Sequence, residues 1–225
     1  FYSAHLYQEQ ALLLSREVGN VYLETYTLIN LSAISGIVNE ARASLEFAQQ
    51  ALQLSKTAGD RSGEAWSLLY MGYAYLLLDD LQKSEDSFRY SIAIREELQQ
   101  PGMRIESLAG LVQTLLAKDD PLSAREGTEE IISYVAKEGT FEGTEEPLRI
   151  YYACYLVLEK TGDSRSRWVL HSAAQLLEAQ VSRMKDEESR QMYVRNVPWR
   201  LAIQQLAREH SDVIKDNGRQ EDLRS

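Results

Sequence analysis

One cysteine, three histidines and several paired carboxylates are the residues of this 225-residue sequence that could do covalent or acid–base chemistry. Cys154 could attack a substrate only as a thiolate, which needs an adjacent base or cation. It follows Tyr151, Tyr152 and Ala153, and no histidine lies near it in sequence, so it reads as a buried, inert thiol. His5, His171 and His210 are scattered without metal-ligand spacing. The acidic runs EEL, GTEEII, GTFEGTEEP and KDEESR would need a buried, convergent setting to act as acid–base or metal sites. They flank turns or open helices, where carboxylates favourably meet the helix dipole or are simply solvated. No GxxxxGK(S/T) phosphate loop occurs, nor a GxGxxG after a strand. The sequence is therefore read as non-catalytic, with no cofactor and no metal.

Aromatic side chains are what remains for recognition. Tyr26, Trp66, Tyr70, Tyr73 and Tyr152 combine a large apolar body with a polar tip, as interface anchors do. They either form an open wall or pack between helices as core. Composition narrows the partner. A formal net charge of -10 and a pI near 4.9 argue against a nucleic-acid backbone and against an anionic membrane surface. A single cysteine excludes an internal disulfide framework and fits a reducing cytosol. No signal peptide and no transmembrane run is seen. The stretch WSLLYMGYAYLLLDD, Trp66 to Asp80, is apolar almost all the way round as a helix, yet a bilayer span needs about 20 residues. Other parts of the fold must cover it.

Internal repetition supplies that cover. SREVGN ends at Asn20 and SKTAGD at Asp60, each around a glycine suited to ending a helix. Ala4, Ser44, Ser84 and Ala124 are all small and lie 40 apart; so do Ala11, Ala51 and Ser91, until Ile131 breaks the series. Leu14 aligns with Leu54 and Ile94, and Asp79-Asp80 recurs as Asp119-Asp120. Each unit holds two runs of helical spacing, which predicts an all-α solenoid of antiparallel helix pairs. Small residues recur because two helix backbones must approach there. Residues 1–19 are read as the second helix of an incomplete unit, followed by pairs at 20–60, 61–102, 103–139 and 140–185. Capping helices occupy 186–211, interrupted at NVPWR, and a polar tail runs over 212–225. In helix 61–77, Leu68, Met71, Gly72 and Tyr75 are assigned to the packed side, and Trp66, Tyr70, Tyr73 and Leu77 to a partly open inner wall. Tyr7, Ala11, Leu12 and Leu14 form an apolar stripe with no first helix to cover it. More repeats are expected upstream, since terminal repeats have a polar outer face.

These residues resemble tetratricopeptide (TPR) repeats. Met71, Gly72, Tyr75, Ser84, Phe88 and Ser91 match the family's pattern best. Ser32, Ser35 and Ala48 depart from it in the preceding unit. The usual unit has about 34 residues; the longer period here is similar to kinesin light chains and to the MalT-like region of bacterial signalling ATPases. The segment ESRQMYVRNVPWRLAIQQLA looks like the closing segment of such STAND-type or cyclase-linked regulators. The resemblance implies a protein- or peptide-binding scaffold or sensor, cytoplasmic, in the C-terminal part of a larger ATPase. Its partner would be a protein segment, a peptide or a small effector. Self-association through the N-terminal end is the alternative. It also implies a concave groove lined by first-helix residues. In successive units these are Tyr26, Ile29, Asn30 and Ala33; Trp66, Leu69, Tyr70 and Tyr73; Glu106, Ala109, Gly110 and Gln113; and Arg149, Tyr152, Ala153 and Leu156. Asn30 falls where the family often clamps a peptide backbone; Tyr70, Gly110 and Ala153 take that place later.

Overall fold

The computed structural model describes residues 2–139, 141 and 143–222, with side chains described from 3 to 210 over the same stretches. Among them are eleven helices and no strand. They are α1 (Tyr2–Glu17), α2 (Val21–Ile37), α3 (Ala41–Ala58), α4 (Arg61–Leu77), α5 (Leu81–Glu97) and α6 (Pro101–Ala117), then α7 (Pro121–Glu138), α8 (Pro147–Lys160), α9 (Ser166–Ser182), α10 (Glu187–Arg195) and α11 (Pro198–Asp222). Each of the first seven packs on the next, and α2, α4, α6 and α8 also pack on one another in series. This is an α-solenoid of helix pairs. The unit expected to start at 103 starts earlier, because Pro101 opens α6 at a position that needs no backbone donor. The polar tail at 212–225 lies outside the residues whose side chains are described.

The turns beat at half the repeat. Left-handed backbone falls at Gly19, Asn39, Gly59, Asp79, Gln99, Asp119 and Gly139, one every 20 residues. At each turn but the last, the following residue opens the next helix. The side chains of Asn20, Asp60, Asp80 and Asp120 accept the backbone N–H three residues on, satisfying a donor the helix start leaves free. Gln99 is the least suited of the left-handed residues, since Asn and Asp tolerate that region better and Gly has no Cβ to strain. Gln99 is exposed. Gln99→Gly is therefore expected to stabilise the fold by roughly 0.5–1 kcal/mol. That corresponds to a thermal midpoint about 1–4 °C higher, which a circular-dichroism melt will read.

Small residues recur because hydroxyls pin neighbouring helices at close range. Ser44 Oγ donates to the Ser32 carbonyl at 2.9 Å, and Ser32 Oγ to the Ser44 carbonyl at 2.8 Å. Forty residues on, Ser84 Oγ donates to the Gly72 carbonyl and meets Thr114 Oγ1, both at 2.8 Å. Ser91 Oγ likewise donates to the Ala65 carbonyl at 2.8 Å and meets Ser107 Oγ at 2.9 Å. Between these pins the wholly buried Phe88 ring lies against Gly72 and Gly110. A Cβ on Gly72 would stand 2.8 Å from that ring, far inside van der Waals contact.

The burial of α4 corrects the expected division of its faces. Trp66, Leu69, Gly72 and Tyr73 are buried, whereas Leu68, Met71 and Tyr75 are only half covered. Helices α2, α3, α5 and α6 all pack on α4. They enclose most of its circumference and leave solvent access along the row of Leu68, Met71 and Tyr75, expected to be packed. Leu77, at the helix end, is exposed.

Candidate interaction surface

The inner wall is set by position 26 and its repeats. Tyr26, Trp66 and Glu106 stand 40 apart in α2, α4 and α6. Tyr26 is half-buried beside Tyr22, ring centroids 4.7 Å apart, and Tyr22 is 65% exposed. Burial pushes the Tyr26 hydroxyl up to about 12. Asn30, one turn further, is exposed. Trp66 is buried under Arg95, whose guanidinium lies 4.6 Å over the indole. Arg95 itself is 1% exposed and donates to Gln100 Oε1 at 2.6 Å and to Ser62 Oγ at 3.2 Å. Desolvation lowers its pKa, opposed by the fields of Tyr26, Glu106 and Glu145.

Toward the C-terminal end the wall is filled by the chain itself. Glu106 is buried on α6 and accepts the backbone N–H groups of Glu145 and Glu146, each at 3.1 Å. It thus caps α8 from a different unit, satisfying donors that precede Pro147. Burial pushes the Glu106 carboxyl up to about 7, reinforced by the Glu145 charge and opposed by the two N–H groups. Glu146 in turn accepts from Arg200 at 2.9 Å. Arg149 lies between two rings, 3.2 Å from the Tyr73 centroid and 4.4 Å from that of Trp199. Its charge faces both π surfaces, where a cation is attracted by the ring quadrupole. The run GTFEGTEEP, expected to be solvated or to meet a dipole, is instead partly built into this closure.

No protein-family model matches the sequence, and no curated protein matches it. Two solved structures of a kinesin light chain-like protein of Podosopora anserina, with nearly identical TPR-like repeats, are similar to this chain. One, a single-substitution variant, is 15% identical, covers 81% of this chain and 89% of its own, and gives a TM-score of 0.57. The other is 14% identical over the same shares, with a TM-score of 0.55. The fold is a TPR-like solenoid.

Within the TPR-like solenoid the expected groove residues separate into two sets. Tyr26, Asn30, Tyr70, Gln113, Arg149 and Tyr152 keep exposed surface. Trp66 and Tyr73 do not, at 6% and 5% exposure, and the open wall expected of them is corrected: they are core. Trp66 is roofed by Arg95, and Tyr73 packs edge-on against Phe88 at 4.9 Å with Arg149 on its face. Ile29, Leu69, Ala109, Gly110 and Ala153 are buried too, because first helices pack directly on one another. Sequence reasoning did not single out Arg95, Arg200 or the role of Glu106. One signal was available: a carboxylate occupying the row of Tyr26 and Trp66. Cys154 is buried and its thiol is pushed up to about 12 by desolvation, leaving little thiolate at neutral pH. Among the described residues no cluster of three metal-ligating side chains forms, and no helix is long and apolar enough to cross a membrane.

Among the described residues, α1 packs chiefly on α2. Ser44, Ser84 and Ala124 are buried against a first helix, whereas Ala4, at the same position of α1, is exposed. Tyr7 and Leu14 on that helix are 68% and 55% exposed. Leu12 is buried against the rest of the solenoid.

Proposed function

We propose that this chain is a non-catalytic protein-binding scaffold whose free recognition surface is the N-terminal half of its inner wall. One contrast carries the reading: Tyr22 and Asn30 are exposed and Tyr26 half-buried, while Trp66 is covered by Arg95 and Tyr73 by Arg149, which also stacks on Trp199. The two tyrosines give apolar area with hydroxyl tips, and Asn30 offers a donor and an acceptor to a peptide backbone. Such a ligand, a protein segment or peptide, would bias the curvature of the solenoid by binding one shape better than another. Tyr22→Asp is expected to abolish capture of the bound polypeptide while leaving the thermal midpoint within about 1 °C, because the side chain is exposed. Capture of the same polypeptide by wild type and by Tyr22→Asp, in side-by-side pull-downs, would sink the reading.

A second reading, self-association, is favoured by the bare flank of α1. If α1 meets another copy, Leu14→Glu keeps the chain monomeric where the wild type gains mass with concentration in light scattering. Constant wild-type mass across that range removes this reading. A place in the C-terminal part of a bacterial, cytoplasmic signalling ATPase is the finer proposal. It is supported by the resemblance of the segment ESRQMYVRNVPWRLAIQQLA and by the 40-residue period. Sequence upstream of Phe1 tests it: an attached module other than an ATPase would overturn it.

A further inference from the structure

Between α9, α10 and α11 lies a cleft of about 540 Å³, away from the inner wall. Its two long sides are helical stripes. Glu187, Arg190 and Val194 follow one another at spacings of three and four on α10, as do Leu201, Gln204 and Arg208 on α11. Such spacing places each set on a single helix face. Seven residues of helix make a side roughly 10 Å long. The floor is apolar, from Val194 and Leu201, and the rim carries Arg190, Arg195 and Arg208 against one carboxylate, Glu187. Arg190 is engaged: it donates to the Met184 carbonyl at 2.9 and 3.1 Å and pairs with Glu187 at 3.6 Å. Arg195 and Arg208 also line the cleft, both exposed, and neither guanidinium has a hydrogen bond or ion pair among the described residues. The stretch from 181 to 210 carries more basic than acidic side chains, in a chain whose net charge is -10.

We propose that this cleft binds a short acidic peptide segment, its apolar side chains on Val194 and Leu201 and its carboxylates on Arg195 and Arg208. The two guanidiniums, without a partner among the described residues, match two carboxylates, which they can hold by paired N–H donors. An extended phosphate backbone fits less well, because it carries more negative charge than two guanidiniums neutralise and the excess meets a chain of net charge -10. The site is independent of the Tyr22 surface, so failure at either leaves the other standing.

The test is fluorescence anisotropy with a labelled peptide of alternating leucine and glutamate, titrated with the full chain. The comparison probes are its leucine–lysine counterpart, inorganic phosphate and a single-stranded oligonucleotide. The acidic peptide alone is expected to bind, more weakly as salt rises. Arg195→Glu and Arg208→Glu are each expected to weaken it about tenfold or more, as removal of one partner of a charged contact does. Arg195→Gln is expected to give a smaller loss, and unchanged circular dichroism confirms that each variant is folded. Equal binding of the lysine peptide overturns the proposal. So does preferred binding of phosphate or the oligonucleotide, or acidic-peptide affinity unchanged in both charge reversals.

Discussion

Phe88→Ala is expected to destabilise the solenoid by about 3–5 kcal/mol, the range for emptying a buried aromatic site. The ring is wholly buried between α4 and α6, where Gly72 and Gly110 provide the space it occupies. The converse change has the same root. A Cβ on Gly110 runs into the Phe88 ring, and the ring cannot withdraw because Tyr73 packs on it. Gly110→Ala gains about 1 kcal/mol of helix propensity, yet overpacking costs about 1–3 kcal/mol and is expected to win. Combining Gly110→Ala with Phe88→Leu should recover part of the loss, a non-additivity that touching residues show. Urea titrations of the two single variants and the double variant check this. Strictly additive losses would show that the ring and the glycine are not coupled. A solenoid is also stabilised unit by unit, so the Phe88→Ala melt is expected to broaden or split as the two sides separate.

Stability is expected to fall as pH rises from about 4.5 to 7, through the carboxyl of Glu106. Its folded pKa, about 7, lies above the ordinary 4.5. Between those values the folded state holds a proton that the unfolded state has released, so raising pH favours unfolding. The contribution is fully present below 4.5 and is lost as pH passes 7. It amounts to on the order of 3 kcal/mol. Glu145, also held above its usual range by burial, adds a slope of the same sign. The carboxylates held low by partners, Glu85, Glu97, Glu129 and Asp163 among them, act at more acid pH. Glu106→Gln should flatten the dependence and be less stable than wild type at pH near 5, because one amide oxygen cannot serve both N–H groups. Urea midpoints measured across that pH range decide; a slope unchanged in the variant would assign the effect elsewhere.

The solenoid was legible because its closest contacts admit few residue types. Ser44 and Ser84, or Ala51 and Ser91, sit where backbones nearly touch, so the alignment survives while exposed positions drift. The 20-residue beat was not legible. Glycine marks only three of the seven turns, at 19, 59 and 139, while Asn39, Asp79, Gln99 and Asp119 are not of one residue type that would mark the rest. Helical periodicity placed Trp66 and Tyr73 on a common side of α4. It could not say how many neighbours would cover that side, and burial follows from that number. Tyr26 and Asn30 kept their surface because, among the described residues, α2 packs on fewer helices than α4 does. The closure at Glu106 escaped for another reason. It depends on the stretch between α7 and α8, which has no counterpart in the other units and therefore no repeat to be read against.

The stacking of Arg149 between Tyr73 and Trp199 bears on the order in which the chain acquires its shape. Neighbouring hairpins touch over short sequence distances, and local contacts of that kind form quickly. During synthesis the earlier hairpins can assemble while α11 is still inside the ribosome. Until that helix emerges, the Arg149 guanidinium has only one of its two aromatic neighbours. Stacking on Trp199 is thus a long-range ring closure that comes after the early hairpins, and a nascent chain halted before Trp199 would be folded in those hairpins but unsealed at the centre.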